Sequence, residues 1–401
     1  MDSEARIRSF CDELYLEITG NILPYWSGKM VDSVNGGFFG RRDGYDRVDD
    51  KADKGVILNT RILWTFSSAA KQLDEVNLIL ARRAYHYLVS HFVDKEFGGV
   101  YWAVDFTGSP VQTKKQIYAQ AFAIYALSEY YTVTLDEEAL DLAKDIFSLI
   151  ERYSFDQIDN GYLEAFDREW NLLDDLRLSE KDENEKKTMN THLHVLEAYT
   201  NLYRVWPDTV LRRQLYNLID IFQQRILGEG YHFHLFFDEK WKVKSSEISY
   251  GHDIEGSWLL LEAAKVLGDE KPVKAIATTC LKIADVTLAE GVDQEGAIKN
   301  HSHDTDRHWW PQAEGMVGFV NSWELTGQIT YLSAAIRLWE FIKNYLIDRP
   351  NGEWYWRVDD KGTVNCNEDK AGPWKCPYHN GRAILELLKR LNHSRGKRLE
   401  Q

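Results

Sequence analysis

The chain has 401 residues, of which 44% are hydrophobic and 13% aromatic, and this composition is typical of a globular protein with a large core. Its formal net charge of −15 argues against a surface that binds nucleic acid or an anionic membrane. The four cysteines form no metal-binding spacing, and neither a signal peptide nor a membrane-spanning run is evident. We therefore expect reduced thiols and a cytoplasmic location.

Helical periodicity predicts twelve helices in six consecutive pairs. In chain order the predicted ranges are 5–26, 56–73, 77–92, 115–132, 136–152, 188–205, 208–226, 252–267, 271–289, 308–327, 330–346 and 377–392. Between the pairs, an aromatic motif recurs about every sixty to seventy residues and predicts a short strand or hairpin after each turn. Its copies are GGFFGRRD from Gly36, GGVYWAVD from Gly98, NGYLEAFDREW from Asn160, EGYHFHLFFDEKW from Glu229, EGAIKNH from Glu295, which is the weakest, and GEWYWRVDDKG from Gly352.

Six helix pairs with six-fold repetition predict an all-α fold, an (α/α)6 barrel of twelve helices with short β-hairpins at one end. An open solenoid of stacked helix pairs is the competing architecture, but the repeats stop at six and no polar capping repeat is evident. We expect residues 1–401 to form a single domain with a frayed tail after about residue 392. The charged segment 174–187 is predicted to be a solvated loop or a lid.

Polar and aromatic residues open every even-numbered helix, where an inner helix of a barrel should be apolar. They are Asn59, Arg61, Tyr118, Gln120, Asn190, His192, His194, His252, Asp253, Glu255, His308, Trp309, Trp310, Gln312, Glu314, Tyr378, His379, Asn380 and Arg382. One narrow arc of the sixth helix holds Asn190, His194, Glu197 and Asn201. A polar stripe on a buried helix must face a cavity or a satisfied hydrogen-bond network. A plain structural role is the stronger interpretation for Gln120, His192 and Asn380.

Metal binding is an alternative interpretation of the histidines. His192 and His194 are two residues apart and do not share a helix face, and His301 and His303 form a similar pair in a predicted loop. His252 and Glu255 have a suitable spacing, but no such set repeats along the chain. We therefore expect no metal and no other cofactor.

Hydrolysis and non-catalytic sugar binding are further alternatives. Glu255 and Glu314 could act as the two carboxylates of a glycosidase on this scaffold. They lie beside His and Trp residues rather than against apolar walls that would raise one pKa, which makes hydrolysis the weaker interpretation. A sugar-binding module would show aromatic platforms without the surplus of titratable groups that is present here.

Histidines titrate near neutral pH, so a pair on two sides of a sugar can exchange the roles of base and acid. The matching reaction is removal of the proton next to the carbonyl of an opened reducing sugar, which gives an enediolate. Arg61, with Tyr118 and Asn190, is the candidate to stabilise the negative charge. Return of the proton to the opposite face gives an epimer, and delivery to the first carbon gives a ketose; the sequence leaves both open.

Six ordered strings carry a resemblance to a known family. They are NTRILWTF from Asn59, YAQAFAIYALSE from Tyr118, MNTHLHVLEAYTNLYRVWP from Met189, GHDIEGSWLLLEA from Gly251, DTDRHWWPQAE from Asp304 and WKCPYHNGRA from Trp374. Over nearly the whole chain they resemble the cellobiose 2-epimerase family of the N-acylglucosamine 2-epimerase superfamily. The resemblance implies an (α/α)6 barrel that converts the reducing-end glucose of β-1,4-linked disaccharides to mannose without a metal or redox cofactor. Cellobiose, lactose and mannobiose are the candidate substrates, and the short connection between Glu295 and Asp304 leaves the preference among them open.

The resemblance also implies roles for individual residues. It makes His252 and His379 the acid/base pair, with His194 assisting. Arg61, Tyr118, Asn190 and Glu255 would hold the reacting sugar, and Trp310 and Trp374 would stack on sugar rings beside His308 and Trp309. We expect a monomer that takes a small-molecule disaccharide and binds neither nucleic acid nor membrane. An aldose–ketose isomerase, or a 2-epimerase of monosaccharides such as mannose or N-acylglucosamine, is the alternative within the same superfamily.

Overall fold

A computed structural model describes residues 3–180 and 182–399, which form twelve helices and eleven short strands. The helices are α1 (Ser3–Glu17, Ile18–Ile22 and Leu23–Lys29), α2 (Val56–Gln72), α3 (Leu78–Tyr87 and Leu88–Phe92), α4 (Ile117–Thr134), α5 (Glu137–Tyr153), α6 (Met189–Val205), α7 (Thr209–Ile221 and Phe222–Ile226), α8 (Tyr250–Leu267), α9 (Glu270–Val286 and Thr287–Gly291), α10 (Trp309–Thr326), α11 (Ile329–Phe341 and Ile342–Leu346) and α12 (Tyr378–Leu399). The five-residue segments are π-helical turns that continue a helix, and a 3₁₀ turn at Glu75–Asn77 precedes α3.

Each predicted helix is present, with differences of a few residues at the ends. Helix α4 begins at Ile117 rather than at residue 115, because Lys115 and Gln116 pair as a strand with Phe166 and Ala165. Helix α8 begins at Tyr250, two residues before the predicted start. Helix α12 runs to Leu399, residues 400–401 lie outside the described residues, and the frayed tail stays a prediction.

The even-numbered helices form a closed inner ring. Each packs on the next in the order α2, α4, α6, α8, α10 and α12, and α12 packs back on α2. The odd-numbered helices lie outside, in the pairs α1–α12, α2–α3, α4–α5, α6–α7, α8–α9 and α10–α11. The closed ring confirms the (α/α)6 barrel and excludes the open solenoid.

The apolar patterns of the helices explain which ones lie inside. Inner helix α4 is buried over every residue from Ile117 to Tyr130. Outer helix α5 instead buries a single stripe, made of Ala139, Leu140, Ala143, Ile146, Phe147 and Ile150. A helix that is apolar on all sides is stable only when other helices surround it, whereas one apolar stripe suits a helix with one face in water.

Short strands join neighbouring repeats at one end of the ring. They are β1 (Arg41–Arg42), β2 (Val48–Asp49), β3 (Lys54–Gly55), β4 (Ala103–Val104), β5 (Pro110–Gln112), β6 (Lys115–Gln116), β7 (Ala165–Phe166), β8 (Lys187–Thr188), β9 (Phe236–Phe237), β10 (Arg307–His308) and β11 (Arg357–Val358). The antiparallel pairs are β1–β2, β3–β4, β4–β5, β6–β7, β8–β9 and β10–β11. Strands β3, β6, β8 and β10 each precede an inner helix and pair with a strand of the next repeat. The strands therefore connect the repeats around the mouth of the barrel.

All six copies of the aromatic motif fold back on the end of the preceding outer helix. The antiparallel bridges are Val31–Phe38, Val93–Val100, Phe155–Tyr162, Leu227–Phe233, Val292–Ile298 and Ile347–Trp354. The fifth copy, which is the weakest in sequence, has the same bridge as the others. The six-fold count is therefore confirmed.

A buried ion pair holds this turn in five of the six repeats. The aspartate that follows the outer helix binds a lysine or arginine that precedes the next inner helix, in the pairs Asp32–Lys54, Asp94–Lys115, Asp156–Lys187, Asp293–Arg307 and Asp348–Lys370. In the fourth repeat Gly228 takes the place of the aspartate and keeps the same backbone hydrogen bond, from its N–H to the carbonyl of His232. None of the helices in the described residues is long and apolar enough to span a membrane.

Candidate active site

A cavity of about 180 Å³ lies at the end of the ring where the inner helices begin. Its lining residues are Arg61, Tyr118, Asn190, His194, His252, Glu255, His308, Trp309, Trp310, Trp356, Trp374 and His379. All eleven residues that the sequence predicts for the site are among them, and Trp356 is the addition. The structure therefore brings the predicted set together around one cavity.

The fourth residue of four inner helices has a structural role. Gln120, His192, Asp253 and Gln312 bind the backbone of the preceding motif, at Val100, Tyr162, Phe233 and Ile298. In the last repeat Asn380 donates to Glu353, whose carboxylate also accepts from the N–H of Trp354. The polar helix starts therefore do not all face the cavity. Gln120, His192 and Asn380 support the hairpins, as their plain interpretation predicts.

The sixth residue of four inner helices faces the axis of the ring. Arg61 has this position in α2, His194 in α6, Glu255 in α8 and Glu314 in α10. The first three line the cavity, and Glu314 lies fully buried beneath it. Because successive residues are about 100° apart around a helix, the fourth and sixth positions point in nearly opposite directions.

Each of the three candidate catalytic histidines has its Nδ1 atom fixed by a neighbour. Nδ1 of His194 lies 2.9 Å from Glu197 Oε2, and Nδ1 of His379 lies 2.7 Å from Glu314 Oε1. Nδ1 of His252 lies 2.8 Å from the hydroxyl of Ser249. Nε2 is therefore the nitrogen that each ring has left for a ligand.

Burial keeps two of these imidazoles neutral. Burial, with His301 and His194 nearby, lowers the pKa of His252 to about 3. Burial, with Arg61 and Arg382 nearby, holds the pKa of His379 well below its usual value. Neutral imidazoles at neutral pH can accept a proton from a bound substrate.

Arg382 binds three carboxylates beneath the cavity. Its Nη2 donates to Glu255 Oε1 and Glu314 Oε1, at 2.6 Å each, and its Nη1 donates to Glu197. The guanidinium is fully buried and also lies over the ring of Trp258, 4.8 Å from the ring centre. Burial raises the pKa of both Glu255 and Glu314, and for Glu197 the opposing effect of Arg382 and His194 lowers it. Two of the carboxylates in this cluster hold histidines, so Arg382 connects the supports of His194 and His379.

Arg61 provides a positive charge at the cavity wall. Its Nη2 donates to the Tyr118 hydroxyl at 2.8 Å, and its guanidinium lies over the rings of Phe122 and Tyr378. Burial opposes the charged form, but Tyr118, Cys376 and Tyr378 raise the pKa of Arg61 above its usual value. Within the described part of the chain no carboxylate forms an ion pair with it. The Arg61 charge is therefore available to an anionic group in the cavity.

Two further polar atoms at the cavity have no hydrogen-bond partner among the described residues. They are the Oδ1 atom of Asn190 and the Nε1 atom of Trp309, and both are buried. Because buried polar groups in proteins are almost always hydrogen-bonded, such atoms at a cavity wall suit a polar ligand. Trp309 is 3% exposed and packs against Trp356 with ring centres 4.8 Å apart, so its N–H edge rather than its face suits this contact.

Trp310 and Trp374 offer the more open aromatic surfaces. The Trp310 ring lies between His252 and His379, with centre distances of 4.7 and 5.6 Å. The Trp374 ring lies 5.9 Å from Tyr118 and 6.0 Å from Trp102. Both side chains are partly exposed, which suits stacking on a sugar ring.

A second cavity of about 410 Å³ adjoins the first and shares Asn190 and His252 with it. Its outer wall includes Leu176, Arg177, Leu178, Asp182, Glu183 and Glu185 from the charged segment 174–187, together with Glu247 and Asp304. The segment is tied to the barrel, since Gln116 Nε2 donates to the carbonyl of Arg177 at 2.9 Å. The charged segment therefore covers part of the mouth, next to the candidate histidines.

One group of side chains in the described residues has the proximity that a metal ion requires. Ligand atoms of Glu255, Glu314 and His379 lie within 4.8 Å of one another. The Arg382 guanidinium already donates to both carboxylates, and Glu314 also accepts from Nδ1 of His379. The carboxylate oxygens that would bind a metal ion therefore already accept hydrogen bonds from the protein.

Sequence reasoning did not include Trp356, Glu314, Arg382 or Ser249 in the site. Trp356 belongs to the sixth aromatic motif, and Glu314 and Arg382 lie in the polar helix starts, so a sequence pattern pointed to each of these residues. The Ser249–His252 contact spans three residues and was also within reach of local pattern analysis. No local pattern indicates the partners of Arg382, because Glu255 and Glu197 lie 127 and 185 positions away along the chain.

Comparison with known proteins identifies the family. The model of the N-acylglucosamine 2-epimerase (GlcNAc 2-epimerase) family matches residues 37–383. A cellobiose 2-epimerase from Bacteroides fragilis is 53% identical over 384 residues, and one from Ruminococcus albus is 43% identical over 385, each alignment covering 94% of this chain and 98% of the relative. The solved structure of the cellobiose 2-epimerase from Bacillus thermoamylovorans matches with a TM-score of 0.92 and 42% identity, over 96% of this chain and 100% of that one. The chain therefore belongs to the N-acylglucosamine 2-epimerase family, where it groups with the cellobiose 2-epimerases.

Proposed function

We propose that the protein inverts the second carbon of the reducing-end glucose of β-1,4-linked disaccharides. Cellobiose would give glucosyl-mannose, and lactose and mannobiose would be further substrates. The relatives with 53% and 43% identity over 94% of this chain are named cellobiose 2-epimerases, which supports the same substrate class here.

The arrangement of imidazoles around one cavity carries the proposal. His194, His252 and His379 line the same small cavity, and each has a protein partner on Nδ1. Such anchoring fixes the ring orientation and leaves Nε2 for proton transfer. A sugar-binding module would have no need for several anchored bases around Arg61, whose charge no carboxylate of the described residues neutralises.

In the proposed reaction the reducing sugar first opens to its aldehyde, which acidifies the hydrogen on the second carbon. His252 or His379 takes this proton on Nε2, and the electron pair of the broken C–H bond forms an enediolate. Arg61 stabilises the negative oxygen, with Tyr118 and Asn190 beside it. The other histidine takes up a proton from water beside the negative enediolate and delivers it to the opposite face of the carbon, and the first histidine releases its proton to water, so that both rings return to the neutral form.

The remaining lining residues have supporting roles in the proposal. His194 assists the acid/base pair, and Glu255 holds the sugar from the side of Arg382. Trp310 and Trp374 stack on the sugar rings, with His308 and Trp309 beside them. The lining residues come from all six repeats of one chain, which supports a monomer as the working unit.

Hydrolysis fits the geometry less well. Glu255 and Glu314, the two candidate carboxylates, both accept from the same nitrogen of Arg382. A glycosidase needs its two carboxyl groups on either side of the scissile bond, with one of them free to donate a proton. Here a guanidinium takes the position between them.

We further propose one catalytic domain that works in the cytoplasm without a metal or other cofactor and binds neither nucleic acid nor membrane. The acidic net charge of −15 supports the absence of a nucleic-acid partner. The four cysteines are free, and three of them are buried, which suits a reducing compartment.

A proton NMR time course with cellobiose in D2O, in the presence of a chelator, tests the proposed function. We expect a mannose-type reducing end that carries deuterium at its second carbon. Free glucose would identify a hydrolase, and a ketose as the main product would identify an aldose–ketose isomerase. Turnover that stops with chelator and returns with zinc or manganese would contradict the metal-free mechanism.

A further inference from the structure

Ser249 immediately precedes α8, the helix that carries His252 and Glu255, and is its N-cap residue. A serine at an N-cap ordinarily accepts a hydrogen bond from the backbone N–H of the second or third helical residue. Ser249 makes no such bond, and its Oγ lies 2.8 Å from Nδ1 of His252. By contrast, the N-cap residues Thr188 of α6 and Asp208 of α7 accept from backbone N–H groups in the usual way. The hydroxyl of Ser249 is therefore committed to the imidazole.

We propose that Ser249 is a positioning residue for proton transfer, which keeps Nε2 of His252 as the reactive nitrogen whether the ring is neutral or protonated. This inference rests on the proposed epimerisation and deepens it. It assigns the two histidines of the acid/base pair different supports, a hydroxyl for His252 and a carboxylate for His379.

The two supports differ in chemistry. Glu314 accepts from Arg382 and His379 through Oε1 and from Trp258 through Oε2, so it behaves as an ionised group that only accepts hydrogen bonds. It therefore favours the charged form of His379 more than a hydroxyl would, although burial still holds the pKa of this ring below its usual value. The Ser249 hydroxyl carries no charge, and in the proposed role it accepts the Nδ1–H of His252 in both states of the ring. A protonated His252 consequently gives up its proton to an enediolate more readily than a ring paired with a carboxylate.

Loss of the hydroxyl would affect His252 through its tautomer. In a Ser249→Ala variant, Nδ1 would be left without a partner away from water, because the Nδ1 side of the ring faces Ser249, which is only 1% exposed. The hydrogen of the neutral ring would then prefer Nε2, where sugar oxygens can accept it. The lone pair needed for proton abstraction would point away from the substrate.

We expect kcat of the Ser249→Ala enzyme to fall roughly ten- to hundredfold, because the transition state of proton transfer loses the stabilisation of about one hydrogen bond. KM should change little, since Ser249 does not line the cavity. A Ser249→Thr variant keeps the hydroxyl and should recover most of the activity. Because the equilibrium constant between the two epimers is fixed, kcat/KM must fall by the same factor for both of them. A second measurement is therefore needed to identify the affected histidine.

That measurement is hydrogen exchange at the second carbon of each epimer in D2O. In the Ser249→Ala enzyme, the epimer whose proton faces His379 should still form the enediolate but should be reprotonated from the same side. It would gain deuterium without inversion, so its ratio of exchange to epimerisation should rise severalfold above the wild-type ratio. For the other epimer, whose proton faces His252, exchange and inversion should fall together and the ratio should not rise.

An Asp208→Ala variant is the matched control, because it removes an N-cap from a half-buried position of α7 that does not line the cavity. It should lower stability and leave both exchange ratios unchanged. If Ser249→Ala also leaves both ratios unchanged, or if Ser249→Thr fails to recover activity while it folds normally, the positioning role is wrong. If the wild-type enzyme neither inverts cellobiose nor exchanges its second-carbon hydrogen, the proposed function itself is wrong.

Discussion

The buried pair of Lys54 and Asp32 allows a quantitative test of the turns at the mouth of the barrel. Lys54 Nζ donates to Asp32 Oδ2 and to the carbonyl of Gly36, at 2.8 Å each, and both charged side chains are 1% exposed. Asp32 also accepts the N–H groups of Val34 and Asn35. A Lys54→Met change would keep most of the side-chain volume and leave this carboxylate buried without its cation.

Removal of one partner from a buried ion pair costs about 3–5 kcal/mol. The entropy of unfolding is about 2.1 cal/mol/K per residue, so for a chain of 401 residues it is about 0.8 kcal/mol/K. The expected loss therefore corresponds to a melting temperature that is about 4–6 °C lower. Activity at low temperature should be retained, since Lys54 does not line the cavity.

Urea unfolding followed by circular dichroism would measure this loss. The double variant Lys54→Met/Asp32→Asn should recover part of it, because it removes the stranded charge. The control is Lys144→Met, which breaks a surface pair with Asp141 and should cost less than about 1 kcal/mol. Equal stability of Lys54→Met and Lys144→Met, or no recovery in the double variant, would refute the reasoning.

Three further predictions concern the site. His252→Ala and His379→Ala should each lower kcat by about 10²- to 10⁴-fold, measured with cellobiose, and near-normal turnover of either would contradict the acid/base assignment. The neutral, proton-accepting form of His252 is lost only as pH falls through its lowered pKa of about 3, so the acid limb of kcat/KM should lie well below pH 6.5; a limb near 6.5 would contradict the buried, uncharged ring. Burial raises the pKa of Glu164 to about 8. In the folded protein this carboxyl therefore stays protonated at pH values above about 4.5, at which it ionises in the unfolded chain. Glu164→Gln should therefore gain stability over the wild type between pH 5 and pH 8 in urea titrations, and a gain that does not grow with pH would exclude this.

The twelve helices could be predicted from sequence because amphipathic and fully apolar periods are local properties of the chain. The lining residues could be predicted because a closed six-fold ring brings all inner helix starts to one end. The sequence only partly separated the residues that face the axis from those that hold the hairpins. The rotation along the helix distinguished His192 from His194, and Gln120 and Asn380 were also predicted to be structural. Asp253 and Gln312, by contrast, stayed in the same polar clusters as Glu255 and Glu314.

Other parts of the site depend on contacts that no local pattern contains. In the sequence, Arg382 is one of several polar residues at the start of the last helix. Its structural role depends on carboxylates from three other helices. The fourth repeat lacks the aspartate of its ion pair, and the sequence alone did not indicate which side chains replace it. In the structure the contact particular to this repeat is between the His232 ring and Asp253 of α8, whose Oδ2 lies 2.7 Å from Nδ1 of His232.

The closure of the ring between α12 and α2 has a consequence for protein synthesis. Arg61 on α2 reaches the carbonyl of Trp374, 313 positions later, and shares its cavity with His379 of the final helix. The same helix supplies Arg382, which connects the supports of two histidines. A growing chain therefore contains no working site until α12 has left the ribosome and packed against both of its neighbours. Catalytic activity is thus a direct readout of completed folding, and fragments that end before α12 should be inactive however well their earlier repeats are formed.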